Sequence, residues 1–409
     1  MKETKFKDTE IGKIPEEWET LYIHQITEIS TGATPSTNIN EYWENGTIRW
    51  MSSGELNNKI IYDVNGRITQ KGYDNTGTHM LPKNCVLIGL AGQGKTRGTA
   101  AYNKVELCTN QSIAAILPNS KYESKYLYFY IDSLYDKLRL LSAGDGGRGG
   151  LNKQILQNLE IAMPPLNEQR RIASALTSID NLIASLGKLI KKKKNIKQGA
   201  MQQLLTGKTR LKGFTEPWVY RKISEIATTS SGGTPSRSIP NYYYGDIKWF
   251  TTTELKDNYL YDSVEHITRE ALNNSSAKMF SANTILMAMY GATIGKLGVL
   301  KEPSTTNQAC CAIKCNDIVE IFLFYILLYN RKSIIEKGCG AGQPNISQAI
   351  VNELSFLVPP CEKEQQAIAT ILTKMDNEIT ALEAKRAKYE AIKQGMMQQL
   401  LTGKIRLIS

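Results

Sequence analysis

The sequence predicts an α+β protein built twice over: two similar strand-rich globular domains, each followed by a long helix, with the two helices pairing as an intramolecular coiled coil. Three observations predict it. Residues 196–211, IKQGAMQQLLTGKTRL, return as residues 392–407, IKQGMMQQLLTGKIRL, with fourteen of sixteen positions identical. Each copy closes a stretch whose apolar residues recur in alternating steps of four and three. Short strand-like runs bounded by turn signals fill the rest of both halves.

The duplication sets the domain boundaries. At nearly the same 196-residue shift, Trp18 meets Trp218, GATPS (Gly32 to Ser36) meets GGTPS (Gly232 to Ser236), and IRW ending at Trp50 meets IKW ending at Trp249. TNQ at Thr109 to Gln111 meets TNQ at Thr306 to Gln308, and Pro164-Pro165 meets Pro359-Pro360. The divisions are residues 1–165 and 213–360 for the globular domains, and 166–212 and 361–409 for the helical segments. So long a period excludes a solenoid and implies a pseudo-two-fold relation between units. The globular parts match at scattered positions and the helical parts closely. Either the divergent part is simply less constrained surface, or the near-identical part meets the same partner twice while the divergent part meets two different targets.

In the helical segments Ile172, Leu176, Ile179, Ile183, Leu186 and Ile190 form a heptad seam, which returns at Ile368, Leu372, Met375, Ile379 and Leu382 and continues at Tyr389, Met396 and Leu400. Lys193, Lys197, Arg386 and Lys393 interrupt it, so the packing there is expected to be looser or shared with another chain. Asn167 is a candidate cap at the start, and Gly207 and Gly403 mark the ends. Residues Glu168 to Thr206 would make a rod of ~58 Å, a spacer. Two seams of equal length bury each other most economically within one chain. The run Lys191 to Lys194 reads as a solvated helix face, since its counterpart, Ala387 to Glu390, is AKYE.

In the globular parts, CVLIGL, SIAAIL, TILMAMY and ACCAIK read as strands, and residues 122–141 and 319–336 as helical. The run Ile321 to Tyr329 is half the length a membrane-spanning helix needs and reads as a buried helix. The polar start MKETKFKDTE offers no signal peptide, and seven cysteines without CxxC spacing suggest reduced structural thiols, so a cytoplasmic location is expected. With three histidines, His24, His79 and His266, no metal site is expected. The net charge of +11 points towards a polyanion.

Several motifs suggest catalysis. Gly89 to Thr96, GLAGQGKT, fits the phosphate-cradling P-loop pattern, which would make the chain an ATP-dependent enzyme. The residues after Thr96 read as a hairpin rather than the helix that pattern needs, and the second copy, YGATIGKLG, keeps Lys296 but lacks the magnesium-binding hydroxyl. Met163-Pro-Pro-Leu166 and Val358-Pro-Pro-Cys361 lack the polar residue and aromatic of the adenine methyltransferase motif, and neither a hydrolytic triad nor nuclease-like paired carboxylates stand out. A second alternative is a coiled-coil scaffold that pairs proteins without reading DNA.

The order of motifs, GxTPS, TNQ, a Gly-rich stretch, PPLNEQRRIA (Pro164 to Ala173) or PPCEKEQQAIA (Pro359 to Ala369), then a long helix ending in LLTGK, resembles the specificity subunits of Type I restriction-modification systems over essentially the whole chain. The resemblance implies two target recognition domains, each reading one half of a split, asymmetric DNA site, held apart by two antiparallel helices. Those helices would dock two methyltransferase subunits, to which restriction and translocase subunits can add. The chain itself would be non-catalytic and hold no cofactor, with S-adenosylmethionine, ATP and magnesium on the partners. Gly146 to Gly150 (GGRGG) and Gly340 to Pro344 (GAGQP) fill the place of the family's Gly-Gln stretch, and only the second keeps a glutamine.

Basic residues near turns, Arg49, Lys95, Arg97, Arg148, Arg237, Lys248 and Lys296, are candidates to anchor phosphates or read guanine. Thr34, Ser36, Gln93, Thr234, Ser236 and Thr293 are candidates to hydrogen-bond bases or backbone. Gly32, Pro35, Gly232 and Pro235 are expected to shape their loops rather than touch DNA.

Overall fold

The computed structural model describes residues 4–92, 94–142, 150–338 and 345–408. The chain divides into two compact units, Met1–Gly187 with Lys385–Ser409, and Lys188–Ala384. Each unit therefore contains one globular domain, the beginning of the helix that follows it, and the end of the other helix.

In the first unit a five-stranded sheet runs in the order Ile29–Thr31, Ile113–Ile116, Val86–Gly89, Ala100–Asn103, Ile60–Ile61. Its pairings are antiparallel except the last. Alternate residues enter two different cores. Val86, Ile88, Ala100, Tyr102, Ala114 and Ile116 pack with the helix Ser124–Ser133, while Cys85, Leu87, Ala101, Ile113 and Ala115 pack with Met51 and Leu56. A sheet covered on both faces needs apolar residues at every position, which is why CVLIGL and SIAAIL are continuous runs. A three-stranded sheet, Cys108–Thr109, Ile48–Met51, Arg67–Ile68, flanks the second core.

The second unit repeats this plan. Its five strands run Ala227–Ser231, Cys310–Cys315, Ile285–Ala288, Leu297–Leu300, Asn258–Leu260, and its small sheet is Glu265–Ile267, Ile247–Phe250, Thr305–Thr306. The apolar run read as a buried helix is Glu320–Tyr329, with Phe322 to Leu327 all buried. Among the described residues no helix is long and apolar enough to cross a membrane. In each unit a strand before the long helix pairs with one at the domain's start: Glu160–Met163 with Glu19–Tyr22, and Ser355–Val358 with Val219–Lys222.

The long helices span Leu166–Leu204 and Glu362–Leu400. Within each unit the two helix segments run antiparallel. In the first, Ile172, Ala173 and Leu176 share a core with Met397, Leu400 and Leu401, and Lys393 pairs with Asp180 at 2.6 Å. In the second, Ile368, Ala369 and Leu372 share a core with Met201, Leu204 and Leu205, and Lys197 pairs with Asp376 at 2.6 Å. Of the seam residues, Ile172, Leu176, Ile179, Leu186, Ile190, Ile368, Leu372 and Ile379 are buried, and Ile183, Met375 and Leu382 are half-buried.

Where lysines enter the seam the apolar packing does thin, residues 191–200 and 381–395 holding no buried residue, and Lys193, Lys197 and Lys393 there meet Glu378, Asp376 and Asp180 of the facing helix segment. Two readings of the helices need correction. Asn167 is not the cap, because the helix already begins at Leu166 and the Pro165 carbonyl accepts from Glu168 N and Gln169 N. Met397, rather than Met396, takes the fully buried place near the end, one helical turn before Leu400 and Leu401. Gly207 and Gly403 lie just past the helix ends with φ of 68° and 71°, a left-handed conformation that suits glycine.

Candidate nucleic-acid interface

The motifs that recur in the divergent domains converge in space. In the first unit Thr34 Oγ1 of GATPS donates to Gln111 Oε1 of TNQ at 2.6 Å, and Trp50 Nε1 donates to the Ala33 carbonyl at 3.0 Å. In the second, Thr234 Oγ1 donates to Gln308 Oε1, and Trp249 Nε1 to the Gly233 carbonyl at 2.9 Å. A second aromatic braces each loop. Trp43 Nε1 donates to the Ser36 carbonyl and packs edge-on against Trp50, while Tyr243 donates to the Pro235 carbonyl and packs edge-on against Trp249. The loops come so close that a Cβ on Gly32 would lie 1.8 Å from the Thr109 carbonyl oxygen, and one on Gly232 would lie 2.1 Å from that of Thr306. These glycines are therefore required by the contact itself. Pro35 and Pro235 are buried within the same loops. GxTPS, TNQ and the tryptophan thus form one clasp, built with corresponding atoms in both units.

The glycine-rich loop follows the sheet strand that ends at Gly89. Gly89 N and the Gly89 carbonyl bond to Thr99 and Gly98, so Gly89 to Thr96 belongs to a hairpin between Val86–Gly89 and Ala100–Asn103, with no helix after the Gly-Lys-Thr. Two of its carbonyls are taken by the domain itself: Gly94 O accepts from Arg139 and Lys95 O from Thr99 Oγ1. A P-loop presents amide groups at the mouth of a helix, and this segment has no such helix. The second copy of the loop is two residues shorter. Ala288 N bonds to the Lys296 carbonyl as Gly89 N does to that of Thr99, so Lys296 corresponds to Thr99 and not to Lys95.

The candidate cations differ in what holds them. Arg49 meets Asp63 at 2.8 Å, Lys248 meets Glu302 at 2.6 Å and the Tyr261 carbonyl at 2.7 Å, and Lys296 meets Asp257 at 3.0 Å. Arg237 lies over the Tyr243 ring and forks onto Glu265 at 2.6 and 2.8 Å. The Arg237 hydrogen bonds hold the Glu265 carboxyl below the usual range, and the Arg49 hydrogen bond does the same for Asp63. Lys95 is exposed and makes no ion pair among the described residues, and Arg97 Nη1 donates to Ser142 Oγ at 3.3 Å. Ser36 is exposed, Ser236 bonds Ser238, and Thr293 is half-buried with its carbonyl accepting from Lys296 N. Gln93, Arg148, residues 146–149 of the first Gly-rich stretch and all of Gly340 to Pro344 lie outside the described residues.

Among the described residues Cys85, Cys108, Cys310 and Cys311 are buried, and Cys315 and Cys361 half-buried. Burial pushes the thiols of Cys85, Cys310, Cys311 and Cys315 up to about 12. Among the described residues no three His, Cys, Asp or Glu side chains form a metal-sized cluster.

Sequence reasoning missed the lock between helix ends and domains. Glu168 is 3% exposed and accepts from Arg406 Nε and Nη2, both at 2.8 Å, and from Trp18 Nε1 at 3.1 Å. Its counterpart Glu364 accepts from Arg210 Nε and Nη2 at 2.7 and 2.8 Å. Arg406 stacks over Trp18 and Arg210 over Trp218. Gln169 and Gln365 each donate to a carbonyl of the Pro-Pro pair and accept from the N-terminus of the domain helix, at Glu123 N and Val319 N. The signal was available: Glu-Gln opens both helices, and the arginine belongs to the near-identical repeat.

Comparison with known proteins agrees with this architecture. The chain is 27% identical to the MjaVIII Type I restriction enzyme specificity subunit of Methanocaldococcus jannaschii, over 99% of this chain and 97% of that one. It is 30% identical to the EcoR124I/EcoR124II specificity subunit of Escherichia coli over 44% of each. The fold is similar to that of an S subunit from M. genitalium, with a TM-score of 0.64 at 16% identity over 94% of this chain and 96% of that one. A chain from a structure of a type I R-M system gives 0.58 at 16% identity, over 96% of this chain and 99% of that one. The family described as the Type I restriction modification DNA specificity domain matches residues 15–198 and again 215–394, and the chain belongs to it.

Proposed function

We propose that this chain is the DNA-reading subunit of a Type I restriction-modification complex in the cytoplasm, each globular domain reading one half of a two-part, asymmetric site. The paired helices set the spacing of the half-sites and dock two methyltransferase subunits, and restriction and translocase subunits add to those. S-adenosylmethionine, ATP and magnesium belong to the partners, and this chain contributes recognition and no catalytic group. In the first domain the DNA-contacting set is Thr34, Ser36, Arg49, Gln93, Lys95, Arg97 and Arg148. Arg237, Lys248, Lys296, Thr234, Ser236 and Thr293 form that set in the second.

The observation that carries this reading is that one clasp is surrounded by different residues in the two units. Where the second unit places Arg237 and Glu265 beside Trp249, the first has Thr37 and Gly66, and His266 stands where the first has Arg67. One scaffold with two sets of displayed side chains is what two half-sites of different sequence require. Mapping methylated bases genome-wide with and without the gene tests it: a two-part asymmetric motif should vanish with the gene. Purified chain, free of other subunits, should transfer no methyl group from S-adenosylmethionine to duplex DNA.

A further inference from the structure

The two domains have diverged in most surface positions, yet one exposed aromatic recurs at the same structural position. Tyr62 is 69% exposed and Tyr261 66%. Each follows a buried strand residue, Ile61 or Leu260, and each is followed by an aspartate, Asp63 or Asp262. The loop beneath is held the same way in both. Glu55 accepts from Ser52 N and Asn65 N, and Glu254 from Thr251 N and Val264 N. Arg49 and Lys248, at corresponding strand positions, tie the same loop down through Asp63 and the Tyr261 carbonyl. One exposed aromatic is ordinary surface, but one that recurs on a loop pinned alike in two otherwise diverged domains has a use the domains share.

A lysine recurs beside it. Lys104 N donates to the Ile61 carbonyl at 2.8 Å, and Lys301 N to the Leu260 carbonyl at 3.1 Å, so each lysine leaves the neighbouring strand next to the tyrosine. Their ammonium groups lie over the Tyr102 and Tyr259 rings at 4.9 and 3.8 Å. Neither forms an ion pair among the described residues, in contrast to Arg49, Lys248, Lys296 and Arg237, whose charges are met by carboxylates. A partner that both domains touch alike, through a hydroxyl and an uncompensated cation, has the chemistry of a phosphodiester backbone.

We infer that Tyr62 with Lys104, and Tyr261 with Lys301, form a sequence-independent contact with the DNA backbone in each domain, separate from the residues that discriminate bases. The inference rests on the proposed reading of DNA by each domain. The tyrosine hydroxyl donates to a phosphate oxygen and the lysine neutralises that phosphate or its neighbour. Such contacts set position on the duplex and carry no sequence information.

The test uses the complex of this chain with its methyltransferase subunits, titrated with a fluorescent duplex carrying its site across a range of salt. Y62F and Y261F should each weaken binding about tenfold, the effect of losing a hydrogen bond to a charged group. K104Q and K301Q should each lower the log-log salt slope by about 0.9, while the tyrosine variants leave it unchanged. The methylated sequence should be the same in all four. Unchanged affinity and slope would overturn the inference, as would a variant that impairs assembly with the methyltransferase subunits while the assembled complex binds DNA normally. Altered sequence preference would also overturn it, since the contact would then be reading bases. Failure of the wild-type complex to prefer its site would instead refute the proposed function, which separates the two results.

Discussion

Removing the Arg406 guanidinium should destabilise the first unit by an amount set by the burial of its partner. Glu168 is 3% exposed, and the Arg406 side chain is 6% exposed. In R406A the carboxylate keeps Trp18 Nε1 and Leu407 N as donors and loses both guanidinium bonds. Breaking a buried pair from one side costs about 3–5 kcal/mol, and the two surviving donors place this case near 3. For a unit of this size each kcal/mol lowers the melting temperature by about 2–4 °C, so calorimetry should show a fall of about 6–12 °C. Hydrogen exchange should rise in residues 160–187 and 397–408 and stay unchanged in residues 219–358. The double variant E168Q/R406M should recover most of the loss, because the neutral amide removes the stranded charge while its oxygen still accepts from Trp18 Nε1 and Leu407 N. A shift below about 2 °C in R406A, or a double variant no better than the single, would refute the idea that a desolvated ion pair holds the helix end to the domain.

Three further outcomes are expected from burial and loop geometry. At pH 8 Ellman's reagent should leave Cys85, Cys108, Cys310, Cys311 and Cys315 unmodified in the native chain and titrate all seven thiols in denaturant, since burial raises these five above their ordinary range. G32A should cost about 1–3 kcal/mol by forcing the Thr109 backbone away, and should relax recognition of one half-site only, read as degeneracy in half of the methylated motif. K95A should weaken DNA binding and flatten the salt slope by about 0.9 while leaving ATP-dependent translocation by the full complex intact, since Gly89 to Thr96 is a hairpin.

Periodic features are legible in the sequence and pairwise ones are not. The heptad seam and the continuous strand runs follow from burial on one helix face or both sheet faces, so each residue type reports its own environment. The exchange of helix ends between units is hidden by the very identity of the repeat: IKQGxMQQLLTGKxRL fits either domain equally well, and only the contacts Arg406 to Glu168 and Arg210 to Glu364 show which copy goes where. Lys296 matches Lys95 in sequence because Gly-Lys recurs, and the two-residue shortening of the loop moves it to the place of Thr99. Thr34 and Thr234 read as candidate DNA contacts from their loop positions, and that their hydroxyl protons also tie the loop to Gln111 and Gln308 is a use that needs tertiary contacts to see. The Lys193, Lys197 and Lys393 positions resemble defects in the seam because their carboxylate partners lie about 180 to 215 residues away in sequence.

The division of reading between the two domains is tested most directly by sequencing the DNA methylated when residues 1–212 alone are co-expressed with the methyltransferase subunit. This half carries Met201, Leu204 and Arg210, which are equivalent to the Met397, Leu400 and Arg406 that complete the first unit. Two copies can therefore exchange helix ends as the intact chain does, and a homodimer with two-fold symmetry imposes a palindromic site. The expected result is a symmetric motif that repeats one half of the intact chain's asymmetric motif, written by a dimer. Methylation of the original asymmetric site by this half, or methylation supported by its monomer, would contradict the assignment of one half-site to each domain.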